Sequence, residues 1–210
     1  MFSPSRRATH SGTATAFSLV ELVCVLAILI ILAVILDNSL SVSHRRTTRE
    51  QCRNNLQTIS LALNIYSNDN HGTLPFLKDA ALPSAPLSLL LPKSTTETAI
   101  FLCPGSKDSP LPEGESFAQR RISYAYYMGR ATNEGASPGP QAVLSDWQLN
   151  TLPKTKGQPL FSPDGKKPAN NHGKDGGNIL LDTGEVVFSG TNAARDLPVP
   201  LGVTLLNPAP

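Results

Sequence analysis

Cysteine is scarce in this chain of 210 residues: there are three, at positions 24, 52 and 103. No two of them form a Cys-x-x-Cys pair, which argues against a zinc site. Aromatic residues make up only 6%. Charge of one sign is not in excess, since the formal net charge is +2, and a nucleic-acid partner is therefore not indicated. No Gly-rich phosphate loop, nucleophile elbow or zinc motif occurs, so the chain is not read as an enzyme. No internal repeat is visible, which sets aside solenoid architectures. Proline is absent from residues 17–74 although the chain holds 18 of them. That gap permits one uninterrupted helix, and the Pro-rich remainder predicts a loop-rich part with short strands.

Residues 17–36 are apolar apart from Ser18 and Glu21. A bilayer core needs about 20 apolar residues in a helix, and this run is long enough to span one. A carboxylate inside such a run is unfavourable, by about 2.5–3.5 kcal/mol at a helix centre and less near an end. Something should compensate for Glu21. Before the run stands a leader, residues 1–16, with Arg6 and Arg7 and no acid. Arg45, Arg46, Arg49 and Arg53 follow it, and the positive-inside rule alone favours the opposite orientation.

Helical periodicity continues beyond the run. Cys52, Leu56, Ile59, Leu63 and Tyr66 recur at steps of four and three, one face of a helix, with Arg53, Asn54, Gln57, Asn64 and Asn68 on the other. Asn70-His71-Gly72 predicts its end. Short strands are predicted over 99–103, 122–128 and 142–147. Residues 178–182 and 185–189 read as a hairpin turning at Thr183-Gly184. Residues 148–177, rich in Gly, Pro, Lys and Asn, read as a long surface loop with a basic, solvated face at Lys154, Lys156, Lys166, Lys167 and Lys174.

The leader, then Ala16-Phe17-Ser-Leu-Val-Glu21, then a long apolar helix, resembles the processing motif of type IV prepilins and type II secretion pseudopilins. The resemblance implies cleavage between Ala16 and Phe17 by a prepilin peptidase, methylation of the new amine of Phe17, and pairing of Glu21 with a neighbouring subunit's amine. A narrower resemblance covers nearly the whole chain. It is to pilin-like proteins abundant in planctomycetes and verrucomicrobia, carried here by Cys52-Arg-Asn-Asn-Leu56, Cys103-Pro104, Ser123-Tyr124, and His172 with Asp182. In that group a Gly directly follows the Asp; here Thr183 intervenes before Gly184.

The fold class expected is α+β: a long N-terminal transmembrane-to-periplasmic α-helix packed on a small antiparallel β-sheet, as in pilins. The segments are a cleaved leader at 1–16, a transmembrane or filament-core helix at 17–36, its continuation at 37–72, and a loop-rich β head at 73–210. The function implied is a structural subunit of a type II secretion pseudopilus or type IV pilus-like filament. Its partners are like or related pilin subunits, the prepilin peptidase and the inner membrane, with the head periplasmic or extracellular. The alternative is an anchored or filament-displayed binding module for a polysaccharide or surface.

Two candidate sites lie in the head. Cys52 and Cys103 face an oxidising compartment if the head is exported, and they read either as a disulfide or as two separate buried thiols. Asp146, His172 and Asp182 are a metal or acid–base candidate, with Ca²⁺ the ion suited to the surrounding oxygen-rich, Gly-rich loop. Against this stands a purely structural role, with Asp182 anchoring the hairpin and His172 bonding nearby backbone. No cofactor is otherwise indicated.

Overall fold

The structure, a computed structural model, describes residues 18–106, 108–109, 116–130 and 139–209, and of residues 36–42 the backbone only. Ala16 and Phe17, the expected cleavage site, lie outside the described residues. Helix α1 runs Leu19–Asp69. The chain divides into two compact units, residues 1–43 and residues 44–210.

In the first unit, residues 18–35 are exposed throughout. The helix starts on a local device. Ser18 stands just before Leu19, and its backbone N–H donates to Glu21 Oε2 at 2.9 Å. Ser-x-x-Glu is half of a capping box, and it gives Glu21 a partner within its own chain. The expectation of a membrane-spanning helix is corrected here. Among the described residues no helix is long and apolar enough to cross a membrane. The expected transmembrane-to-periplasmic helix of a pilin-like fold, and with it the single-pass placement in the inner membrane, are therefore not supported.

The second unit is built on the rest of α1 and one antiparallel sheet. The strands are β1 (Tyr124–Met128), β2 (Ala142–Asp146), β3 (Gly177–Leu181), β4 (Val186–Ser189) and β5 (Thr204–Leu206). They lie in the order β4-β3-β2-β1-β5. Cys52, Leu56, Ile59, Ala62 and Leu63 of α1 are buried, while Arg53, Asn54, Gln57 and Asn64 are exposed. The period that separates them is that of a helix with one face on a core. That face packs with Tyr124, Tyr126, Met128, Leu144, Leu180 and Val186 from the sheet. Each Leu or Ile so buried contributes about 1.5–3 kcal/mol relative to exposure. α1 stops at Asp69, where His71 and Gly72 take positive φ and the Gly72 N–H returns to Ser67 O.

The other face of the sheet is also covered. Ala125, Tyr127, Ile179, Leu181 and Leu205 form a second core with Leu160, Phe161, Ala193 and Leu197. Alternation along a strand sends neighbours to opposite faces, so a strand buried at every position must be covered on both. The segment 148–177 is therefore the lid of this second core in its middle, at Leu160 and Phe161, and only partly a surface loop. Lys154, expected on a solvated face, is buried; its ammonium donates to Leu152 O at 3.1 Å and to Asn150 Oδ1. The expected strand at 99–103 is instead a 3₁₀ turn, Ala99–Phe101.

β3 and β4 form the expected hairpin, but its turn has three residues, not two. Gly184 N donates to Leu181 O and Leu181 N to Glu185 O, each at 2.9 Å, so the loop is Asp182-Thr183-Gly184. Gly184 takes φ +82°. That is the three-residue hairpin closed by a residue in the left-handed region.

Candidate functional site

Four distant segments meet under the buried face of α1. Helix α1 supplies Cys52, the turn after the 3₁₀ segment supplies Cys103, β2 ends in Asp146, and the loop before β3 supplies His172. Cys52 and Cys103 are joined in a disulfide, with Cα atoms 5.1 Å apart. Asn55, one turn beyond Cys52, donates to Leu102 O at 2.8 Å and fastens the same two segments a second time.

Asp146 is the centre of the polar part. Its Oδ2 accepts from the Asn178 backbone N–H at 2.6 Å and stands 3.1 Å from His172 Nε2. Its Oδ1 accepts from Asn171 Nδ2 at 3.1 Å. The Asp146 side chain is 1% exposed and that of His172 is 3%. A buried carboxylate is tolerable only when its oxygens are so occupied. His172 Nε2 also lies 3.7 Å from Cys103 Sγ and 3.5 Å from Asn178 Nδ2. Asn178 reaches on to Arg49 O on α1 at 3.4 Å, and Asn171 to Ser123 O at 2.8 Å. Asn171 thereby ties the loop to the sheet, and Asn178 ties the sheet to the loop and to α1.

Tyr124 closes the group. Its hydroxyl is buried, and among the described residues no partner of hydrogen-bond geometry reaches it. Its pKa is raised well above the ordinary value, first by burial and then by the charge of Asp146, with Asn55 opposing. The loop carrying His172 comes in close because Gly105, two residues after Cys103, has no side chain. A Cβ there would stand 2.1 Å from Asn171 O.

Of the residues named from sequence, Asp146, His172, Cys52 and Cys103 are thus brought together. Asp182 is not. It is exposed at the hairpin turn, where its Oδ1 accepts from the Gln141 N–H at 3.1 Å and its N–H donates to Gln141 O at 2.9 Å. Register explains the separation. β2 pairs Ala142 with Leu181 at one end and Ser145 with Ile179 near the other. Asp182 and Asp146 therefore sit at opposite ends of β2, about 13 Å apart along the strand at ~3.3 Å per residue. The oxygen-rich Ca²⁺ loop expected from Asp146, His172 and Asp182 is replaced by a nitrogen, one carboxylate and two sulfurs, a poor donor set for a hard cation. Asn171 belongs to the oxygen-rich loop expected around His172, whereas Asn178 and Tyr124 are site residues that the sequence does not mark as such.

A cleft of about 420 Å³ opens beside this group, lined by Gln51, Asn55, Ile100, Leu102, Cys103 and Pro104 among others. Comparison with known proteins finds no match to a protein family, a curated protein or a solved structure. Nothing in those comparisons points to a pilin, a pseudopilin or a secretion system.

Proposed function

We propose that the chain is a structural subunit of a pilus-like or pseudopilus-like filament, joined to neighbouring subunits through the apolar segment of α1 at 19–35. A prepilin-type peptidase prepares it by cutting between Ala16 and Phe17. One observation carries the reading. The large apolar side chains of that segment, on all sides of the helix, are 47–78% exposed in the single chain. Isolated apolar residues on a surface need no explanation, but a contiguous patch of this extent calls for a partner. A helix apolar all round is one that ends up buried, and other copies of the same helix supply a surface of the same kind. Residues 44–210 form a compact unit of their own, the head that such a subunit would display.

A binding-module reading asks for clustered surface aromatics. Phe76 and Phe188 are the large aromatics exposed among the described residues, and Trp147 is buried. A catalytic reading asks for access to His172, which is buried and does not line the cleft. Both receive less support than the subunit reading.

The test is electron microscopy of sheared surface material, joined to intact-mass measurement of the chain. Filaments containing a chain that begins at methylated Phe17 are expected. Ile30→Glu, which places a charge in the apolar segment without touching the head, should remove the chain from filaments while leaving it folded. A native chain that retains residues 1–16, or undiminished incorporation of the Ile30→Glu variant, would count against the reading.

A further inference from the structure

We propose that Cys52, Cys103, Asp146 and His172 form a four-ligand zinc site when their disulfide is reduced. The inference is independent of the filament reading and rests on where the donor atoms lie. One donor atom from each of the four residues falls in a group spanning no more than 4.8 Å. Zinc bonds of about 2.3 Å to sulfur and about 2.0–2.1 Å to nitrogen or oxygen set the edges of a tetrahedron at about 3.5 Å for S–N and about 3.3 Å for N–O. The corresponding separations are 3.7 Å between Cys103 Sγ and His172 Nε2, and 3.1 Å between His172 Nε2 and Asp146 Oδ2. The two sulfurs, now bonded, have to part, and every other separation in the group is within 4.8 Å.

The donor set selects the ion. Two thiolates and an imidazole are soft or intermediate ligands suited to zinc, and four protein ligands in a buried group make a closed, structural centre. The outer partners are also in place. Asn171 Nδ2 holds Asp146 Oδ1 and the Asn178 N–H holds Oδ2, so the carboxylate is already oriented toward His172. The absence of a Cys-x-x-Cys pair does not weigh against this site, because its ligands come from four segments that only the tertiary fold unites.

The interconversion balances. A dithiol reductant gives two electrons and two protons to the S–S bond, leaving two thiols on the chain and becoming a disulfide itself. Zn²⁺ then displaces both thiol protons to solvent, since the thiolate is the ligand. Asp146 binds as the carboxylate, and His172 binds through Nε2 with its proton on Nδ1. The cleft lined by Cys103 is the route by which a reductant reaches the bond.

The experiment uses the full chain, reduced with a phosphine under anaerobic conditions and freed of excess reagent. Zinc binding is read by competition with a chromophoric chelator, and geometry by cobalt substitution. One zinc per reduced chain is expected, none in the oxidised chain, together with thiolate-to-cobalt charge-transfer and tetrahedral visible bands. His172→Ala and Asp146→Asn should each weaken zinc binding by about 100-fold or more, the upper end of what loss of an outer-shell partner costs. Far-UV circular dichroism follows the fold throughout. If reduction unfolds the chain, zinc should restore the wild-type signal and fail to restore either variant. Unchanged affinity in both variants, zinc rescue of both variants, or a cobalt complex without thiolate bands would overturn the proposal, as would no uptake by a folded reduced chain. The cobalt spectrum of the wild type decides the matter even where a variant fails to fold.

Discussion

Asp146 accepts from two nitrogens of fixed polarity, the Asn178 N–H and Asn171 Nδ2, with His172 Nε2 a third at 3.1 Å. In Asp146→Asn one of the two oxygens becomes an NH₂ group, so a donor meets a donor in a buried place. The loss should be about 1–3 kcal/mol, read as a lower urea midpoint with an unchanged slope. Glu21 poses a different question, because the structure gives it a capping bond to the Ser18 N–H while the filament reading gives it a neighbour's amine. Glu21→Gln keeps an oxygen for the cap and removes the charge; Glu21→Val removes both. Loss of filament incorporation in both variants is expected. Normal assembly of the Gln variant would show that capping is the side chain's whole contribution.

At the scale of elements, the hairpin and β1 each make a prediction. Gly184 has φ +82° and open space around an added Cβ, the nearest atom being Ser60 Oγ at 3.5 Å. The cost of Gly184→Val is therefore conformational, about 1–3 kcal/mol. Asp182→Asn keeps its acceptor for the Gln141 N–H and is exposed, so its effect should stay within about 0.5 kcal/mol. Thermal unfolding should rank the two in that order. β1 carries Tyr124, Tyr126 and Tyr127, all with pKa raised above 10.0, chiefly by burial. A phenol whose folded pKa is raised lends stability that is complete below the unfolded value and is lost as pH rises through the folded one. The urea midpoint should thus be lower at about pH 11 than at about pH 9, with tyrosinate absorbance appearing together with unfolding. Equal midpoints would contradict this.

These same elements show what was legible in the sequence. The buried face of α1 and the hairpin could be read because each obeys a short period, of 3.6 or of 2. The segment 148–177 could not, because its covering of the sheet depends on Leu160 and Phe161 alone, set among residues of loop composition. Asp146 and His172 were recognisable as ligand types, yet their company was not. Asp182 shares their ligand chemistry, but strand register carries it to the far end of β2. Cys52 and Cys103 join the group only through the packing of α1 on the sheet.

For the molecule as a whole, the disulfide closes a loop of sequence separation 51 around the first half of the head. Chain-entropy reasoning sets its contribution at about 2–4 kcal/mol. A Cys52→Ser, Cys103→Ser double variant should lose about that much in denaturant titration. The sheet order adds a consequence of another kind. β1 is bonded to β2 on one side and to β5 on the other, the latter through Tyr126–Leu206, Tyr127–Leu205 and Met128–Thr204. During synthesis, β1 and β2 leave the ribosome well before residue 206 is made. For that interval the tyrosine-rich strand presents an open row of backbone donors and acceptors, the feature that invites pairing with a foreign strand. The nascent chain is thus most vulnerable just before its last strand arrives, and it is then that a chaperone has an apolar edge to hold.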